Sequence, residues 1–365
     1  MKRFTLLTAC ILLIAPIVLI CCKSNRPSEN EKTPSKTGNL DSIVSFAKRA
    51  EQSVLEGNAE FLNNAVDTIA IKAAVSGKCN TTYLEAGRDI FNSNCAYGDY
   101  LCAIDSAGGS FRFDTIYKKN DKYHIVLRIY DVNSNIQFED LQMGFKEGKA
   151  VIEDAFLYSI TSNLSDKITS DIMIKHFITH DNPTDDARNL VTAIKLWRNG
   201  ALEQMWQLLN EQKSRLQQQF TEFYRLYTLG LHACSTNFTD DLEALRIDGA
   251  DERFILYHKL CYDIRTGDAD AALQLIPQLI THTGDDPIYL VLYAKALINA
   301  RRYEEALEIY TEAQKNMECI WDIWTGKLTC YKKLGRTADF NSCLQSGIFL
   351  YGLSDEELKD FSKNF

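Results

Sequence analysis

Two histidines four residues apart, His176 and His180, have the spacing that sets a pair of metal ligands on one face of a helix. No carboxylate follows them at a telling distance, so no metal and no cofactor is assigned. The eleven cysteines form no pair of CxxC knuckles, which argues against a zinc ribbon. Cys234, Cys261, Cys319, Cys330 and Cys343 fall in helical sequence and read as small buried hydrophobes, while Cys79, Cys95 and Cys102 include one pair that an exported chain could oxidise. There is no phosphate loop, no HExxH, no GxSxG elbow and no glycine-rich dinucleotide turn. No catalytic residue is therefore named, and the expectation is a protein that is not an enzyme. Four short runs, Asp41-Ser42-Ile43, Asp67-Thr68-Ile69, Asp105-Ser106-Ala107 and Asp114-Thr115-Ile116, place a hydroxyl directly after an aspartate, a combination that caps helices and opens turns.

The elements that would position these residues come in four blocks. Residues 1–22 hold Lys2, Arg3 and an apolar run, the pattern of an export signal or membrane anchor. Residues 23–39 are rich in Ser, Pro, Asn, Lys and Thr and read as a flexible spacer. Residues 40–178 begin with helical periods: Ile43, Phe46, Ala47, Ala50 and Val54 up to Gly57, a second stretch from Ala59 to Val75, and a third piece between Thr81 and Ile104. After Gly108-Gly109 the period becomes two. Strands over Phe111–Tyr117, Tyr123–Tyr130, Ile136–Phe145 and Val151–Ile160 form a meander whose third member keeps its apolar phase only with a bulge near Glu139-Asp140. Residues 179–365 return to the helical period. The fold class is α+β, helices and then a four-stranded antiparallel sheet, followed by an all-α array of about five helix pairs. At 365 residues the chain is long enough for two folded domains and an anchor. A net charge of −9 with no compact basic run excludes nucleic acid as a partner.

Four resemblances extend this reading. Val18-Leu19-Ile20-Cys21-Cys22-Lys23 resembles the end of a lipoprotein signal, which implies lipidation at Cys22 or Cys21; an uncleaved anchor is the alternative. Both place the protein in a bacterial cell envelope, tethered to the membrane and facing the periplasm or the cell surface. The four Asp-hydroxyl runs resemble the O-glycosylation acceptors of some Gram-negative bacteria, implying Ser42, Thr68, Ser106 and Thr115 as sites. The order of helices and meander resembles the NTF2-like fold, some of whose members use an Asp/His pair in a pocket. Here Asp114, His124 and Asp140 are the candidates, but alternation puts His124 opposite Tyr123, Ile125, Leu127 and Ile129, so a solvated surface histidine is expected. Ala272, Ala306 and Phe340 recur at a spacing of 34, and Leu290, Tyr293, Ala294, Leu297, Tyr303, Ala306, Tyr310 and Ala313 fall in the register of a tetratricopeptide repeat. That resemblance implies a concave groove carrying Phe254, Tyr257, Ile264, Ile288, Val291, Lys295 and Ile298. Such a groove suits a protein or peptide partner, or else is covered by the preceding domain.

The function expected from the sequence is a membrane-tethered scaffold binding a protein partner through this groove. The alternative is a small-molecule binder or enzyme with its pocket in the NTF2-like part, distinguished by an enclosed pocket holding a His or carboxylate from the strands.

Overall fold

The computed structural model describes residues 40–79, 81–131, 136–179, 184–216, 220–317 and 321–363. Cys21, Cys22, the spacer and His180, and with them the lipidation and His-pair expectations, lie outside the described residues. No described helix is long and apolar enough to cross a membrane.

Helix α1 (Leu40–Leu55) buries Ile43, Phe46, Ala47, Ala50 and Val54 on one stripe, and the chain leaves it through Gly57 at φ +70°. The stretch expected as one helix from Ala59 to Val75 is two, α2 (Glu60–Ala65) and α3 (Thr68–Ser76). The break has a tertiary cause. Val66 bridges to Ile152 of the sheet, and the Asp67 carboxylate accepts from Ile69 N at 3.1 Å and Ala70 N at 3.2 Å, capping α3. The third piece is likewise α4 (Thr81–Ala86), α5 (Arg88–Cys95) and α6 (Tyr97–Ser106). At Gly98 a Cβ would lie 1.9 Å from the Ala59 carbonyl oxygen, so only glycine lets α6 press this close to the start of α2.

The sheet has five strands in the order β1 (Ser110–Lys119), β2 (Lys122–Tyr130), β3 (Ile136–Lys146), β4 (Lys149–Leu157) and β5 (Ser162–Asn163), all antiparallel. The fifth, two residues after a 3-10 turn at Tyr158–Ile160, is an addition to the four expected. Two-residue turns join β1 to β2 and β3 to β4, with positive φ at Asn120 and Asp121 and at Glu147 and Gly148, the geometry that matches strand twist. The bulge expected at Glu139-Asp140 is elsewhere: β3 runs unbroken against β2, and its register against β4 shifts between Gln142 and Met143. Pairing is therefore Tyr123 with Met143, Ile125 with Leu141, Leu127 with Glu139 and Ile129 with Gln137 on one face. On the other, His124 pairs with Gln142, Val126 with Asp140, Arg128 with Phe138 and Tyr130 with Ile136. The first face packs on α1 to α6 and on α7 (Leu164–Thr179).

Among the described residues that follow are five consecutive helix pairs and a terminal helix: α8 (Asp185–Arg198) with α9 (Leu202–Leu216), α10 (Glu222–Cys234) with α11 (Phe238–Ile247), α12 (Glu252–Thr266) with α13 (Ala269–Thr283), α14 (Ile288–Asn299) with α15 (Tyr303–Gln314), α16 (Trp321–Lys333) with α17 (Thr337–Tyr351), and α18 (Asp355–Lys363). Helix α12 packs on α14, and α14 on α16, as well as on their own partners, which is how an array buries stripes that one pair cannot. Ala272 and Ala306, two of the residues on the 34-residue period, are fully buried.

The second face of the sheet is also covered. Val126, Tyr130, Ile136, Phe138 and Tyr158 join one apolar cluster with residues of α12 to α16, and Phe138 stacks on Tyr289 with ring centroids 5.9 Å apart. Arg128 Nε donates to Asp286 Oδ2 at 2.8 Å with both side chains buried. Each buried apolar side chain contributes about 1.5–3 kcal/mol, whereas a buried ion pair roughly cancels its own desolvation, so the apolar residues hold the layers together and the pair sets their register. The result is three layers, and the described residues form one compact unit.

Candidate functional site

A cavity of about 560 Å³ opens where β3, the start of α6, α7, α10 and α12 converge. Glu139 enters it from β3, on the face it shares with Leu127, and is 7% exposed. Tyr97, the first residue of α6, donates its hydroxyl to Glu139 Oε2 at 2.7 Å. Burial pushes the Glu139 carboxyl up to about 7; the Tyr97 hydrogen bond and the charge of Lys167 pull it only part of the way back. Burial and the neighbouring Glu139 raise the Tyr97 hydroxyl well above its ordinary value, which fixes it as the donor.

His258 of α12 lines the same cavity and is 8% exposed. Its Nδ1 lies 3.1 Å from Nε2 of His232, and its Nε2 is buried with no hydrogen-bond partner among the described residues. Burial pushes His258 down to about 3 and His232 down to about 4, so both rings are neutral near pH 7. Two cations border the cavity, and both are engaged. Lys167 Nζ donates to Asn94 Oδ1 at 2.8 Å and Asp171 Oδ2 at 2.6 Å; Arg225 Nε donates to the Glu222 carboxylate at 2.9 and 3.0 Å, its guanidinium 4.4 Å from the centre of the Trp197 ring. Tyr100 and Leu229 form an exposed apolar rim. The size suits a small organic ligand, and two buried groups with displaced pKa values in one cavity mark a candidate site. Glu139 is held by the Tyr97 hydroxyl and His258 by His232, an arrangement in which a small ligand can be bound.

The sheet's other face corrects the expectation of a solvated histidine. His124 is 14% exposed, and its Nδ1 lies 3.0 Å from Asp140 Oδ1. Tyr117 donates to Asp140 Oδ2 and stacks on the His124 ring at 5.0 Å, while Arg253 Nη1 reaches Asp140 Oδ2 at 3.2 Å. Burial would raise Asp140, but hydrogen bonds from His124 and Tyr117 and the Arg253 charge outweigh it and hold the carboxyl below its usual range. Arg253 is itself fixed by Asp251 through Nε at 2.8 Å and Nη2 at 3.1 Å and lies over Phe156 at 4.0 Å. His124 and Asp140 are thus brought together, as a clamp between sheet and array. Asp114 does not join them. It faces Asp286, and burial first and that second carboxylate next push it up to about 6.

The groove residues differ in how far they are covered. Phe254, Ile288 and Val291 are fully buried; Tyr257, Ile264 and Ile298 are half-buried, and Lys295 pairs with Asp322. The reason is that the sheet's outer face needs a cover and fills the groove: Tyr257 donates its hydroxyl to the Ile136 carbonyl at 2.6 Å. The four glycosylation candidates are not gathered in one place. Ser42 is half-buried near the start of α1, Thr68 is exposed beside its capping Asp67, and Ser106 is exposed at the end of α6. Thr115 packs against Gly284, where a Cβ would come within 1.7 Å of its hydroxyl oxygen. Cys95 and Cys102 are free thiols, Cys79 is buried, His176 stacks on Tyr83, and no group of three ligands among the described residues is placed to hold a metal.

Sequence reasoning missed Glu139, Tyr97 and His258. The signals were present: two adjacent acids inside an apolar strand, and a histidine between the apolar Phe254, Ile255 and Leu256 and Leu260 of α12. No protein-family model, no curated protein and no solved structure matches the chain.

Proposed function

We propose that this is a ligand-binding protein of the cell envelope, tethered through Cys22 or Cys21, whose NTF2-like part and tetratricopeptide-like array together wall the cavity at Glu139 and His258. The observation that carries the reading is a buried strand carboxyl in a cavity of about 560 Å³, hydrogen-bonded by Tyr97 and held near neutrality in its titration. It is preferred to a scaffold acting through the groove because Phe254, Ile288 and Val291 are buried. A protein partner would instead meet the outward surface of the array, where Phe349 is 90% exposed.

The test is saturation-transfer NMR with a mixture of small aromatic and aliphatic fragments, comparing wild type with Leu229→Trp at the rim. Leu229 is exposed, so the larger side chain narrows the mouth without straining the core. Fragments that bind wild type and are lost in the variant support the cavity; the same binders in both sink it.

A further inference from the structure

We propose that the cavity takes an organic ammonium, a protonated primary or secondary amine on an apolar body, seated against Glu139 among the rings of Tyr97, Tyr100 and Tyr257. This rests on the reading that the cavity binds a ligand, and it names the ligand's charge. The argument is an imbalance. Glu139 is buried, the one hydrogen bond to its carboxyl among the described residues is from Tyr97, and none of the described ion pairs includes it. The nearby cations are already neutralised, Lys167 by Asp171 and Arg225 by Glu222. A buried carboxylate without a counter-charge is costly, so these surroundings favour the protonated acid.

Ligands of different charge therefore meet different walls. An anionic head finds no cation free to receive it and a carboxyl that repels it. A neutral head leaves Glu139 as it is. A cationic head supplies the missing counter-charge, converts Glu139 to the carboxylate with its proton passing to solvent, and meets three tyrosine side chains among the residues that line the cavity. The neutral His258, whose Nε2 is buried and unpartnered among the described residues, adds a polar group to the same wall without adding positive charge.

The experiment is calorimetric titration of the full chain at pH 7 with hexylammonium, hexanol and hexanoate, repeated in two buffers of different ionisation enthalpy. Hexylammonium should bind at least about tenfold more tightly than hexanol, and hexanoate should not bind. Because Glu139 titrates at about 7, hexylammonium binding should release close to half a proton. Glu139→Gln should bring hexylammonium down to the hexanol level and abolish the release. Hexanol or hexanoate binding as tightly as hexylammonium, or Glu139→Gln leaving hexylammonium affinity unchanged, overturns the proposal. If none of the three binds while fragments sensitive to Leu229→Trp still do, the cavity stands as a ligand site and the ammonium assignment falls. If those fragments fail as well, both fall.

Discussion

Glu139 carries a stability signature with a definite sign. Its carboxyl titrates at about 7 in the folded chain against 4.5 for an ordinary glutamate, with burial the main cause. Between those values the folded state holds a proton that the unfolded chain has lost, so stability falls as pH rises through that window. The rings of His232 and His258 act in the opposite direction. Held down to about 4 and about 3, they bind fewer protons folded than unfolded below pH 6.5, so their contribution is lost as pH falls. Glu139→Gln removes the first effect and leaves the second, since a glutamine carbonyl still accepts from Tyr97. Urea denaturation of the two proteins between about pH 5 and 7.5 should show the variant gaining on wild type as pH rises, by up to roughly 3 kcal/mol. A difference independent of pH would mean that Glu139 is ionised in the folded protein throughout.

At the scale of elements, what was legible in the sequence is what short range determines. The helical stripe of α1, the turns at Asn120-Asp121 and Glu147-Gly148, and the five helix pairs of the array are set by residues within a few positions of one another. The breaks at Val66-Asp67 and the fate of the sheet's second face are not, because their causes are distant in sequence. His124, Val126, Arg128 and Tyr130 alternate polar and apolar, which reads as a solvated face; yet the partner of Arg128 is Asp286, 158 residues on. The same blindness hid the cavity, since an acid in the middle of β3 looked like a break in phase rather than a group with a partner on α6. The Arg128–Asp286 pair makes the point testable. Asp286 also accepts from Ile288 N at 2.8 Å at the head of α14, so Arg128→Met strands a buried carboxylate that the helix still needs. A loss of about 3–5 kcal/mol is expected in chemical denaturation, and a loss under about 1 kcal/mol would show that water reaches the interface.

For the whole molecule, three layers sharing cores imply one cooperative unit rather than two domains in series. All four tryptophans, Trp197, Trp206, Trp321 and Trp324, belong to the array, whereas Cys79 and Cys95 are buried in the layer on the far side of the sheet. Unfolding followed by tryptophan fluorescence and by pulsed thiol labelling of those cysteines should therefore give coincident midpoints. Val291→Glu places a charge in the fully buried seam and should lower both midpoints together, by about 3 kcal/mol or more, instead of affecting the array alone. Midpoints that separate would mean the layers fold independently. The same layering has a consequence in time. Chains grow at about 5–20 residues per second, so the 158 residues between Arg128 and Asp286 separate the two halves of this seam by roughly ten to thirty seconds of synthesis. Throughout that interval Val126, Tyr130 and Phe138 lack the array residues that cover them in the folded chain, which leaves an apolar sheet face open to aggregation in a chain halted between Thr179 and Asp285.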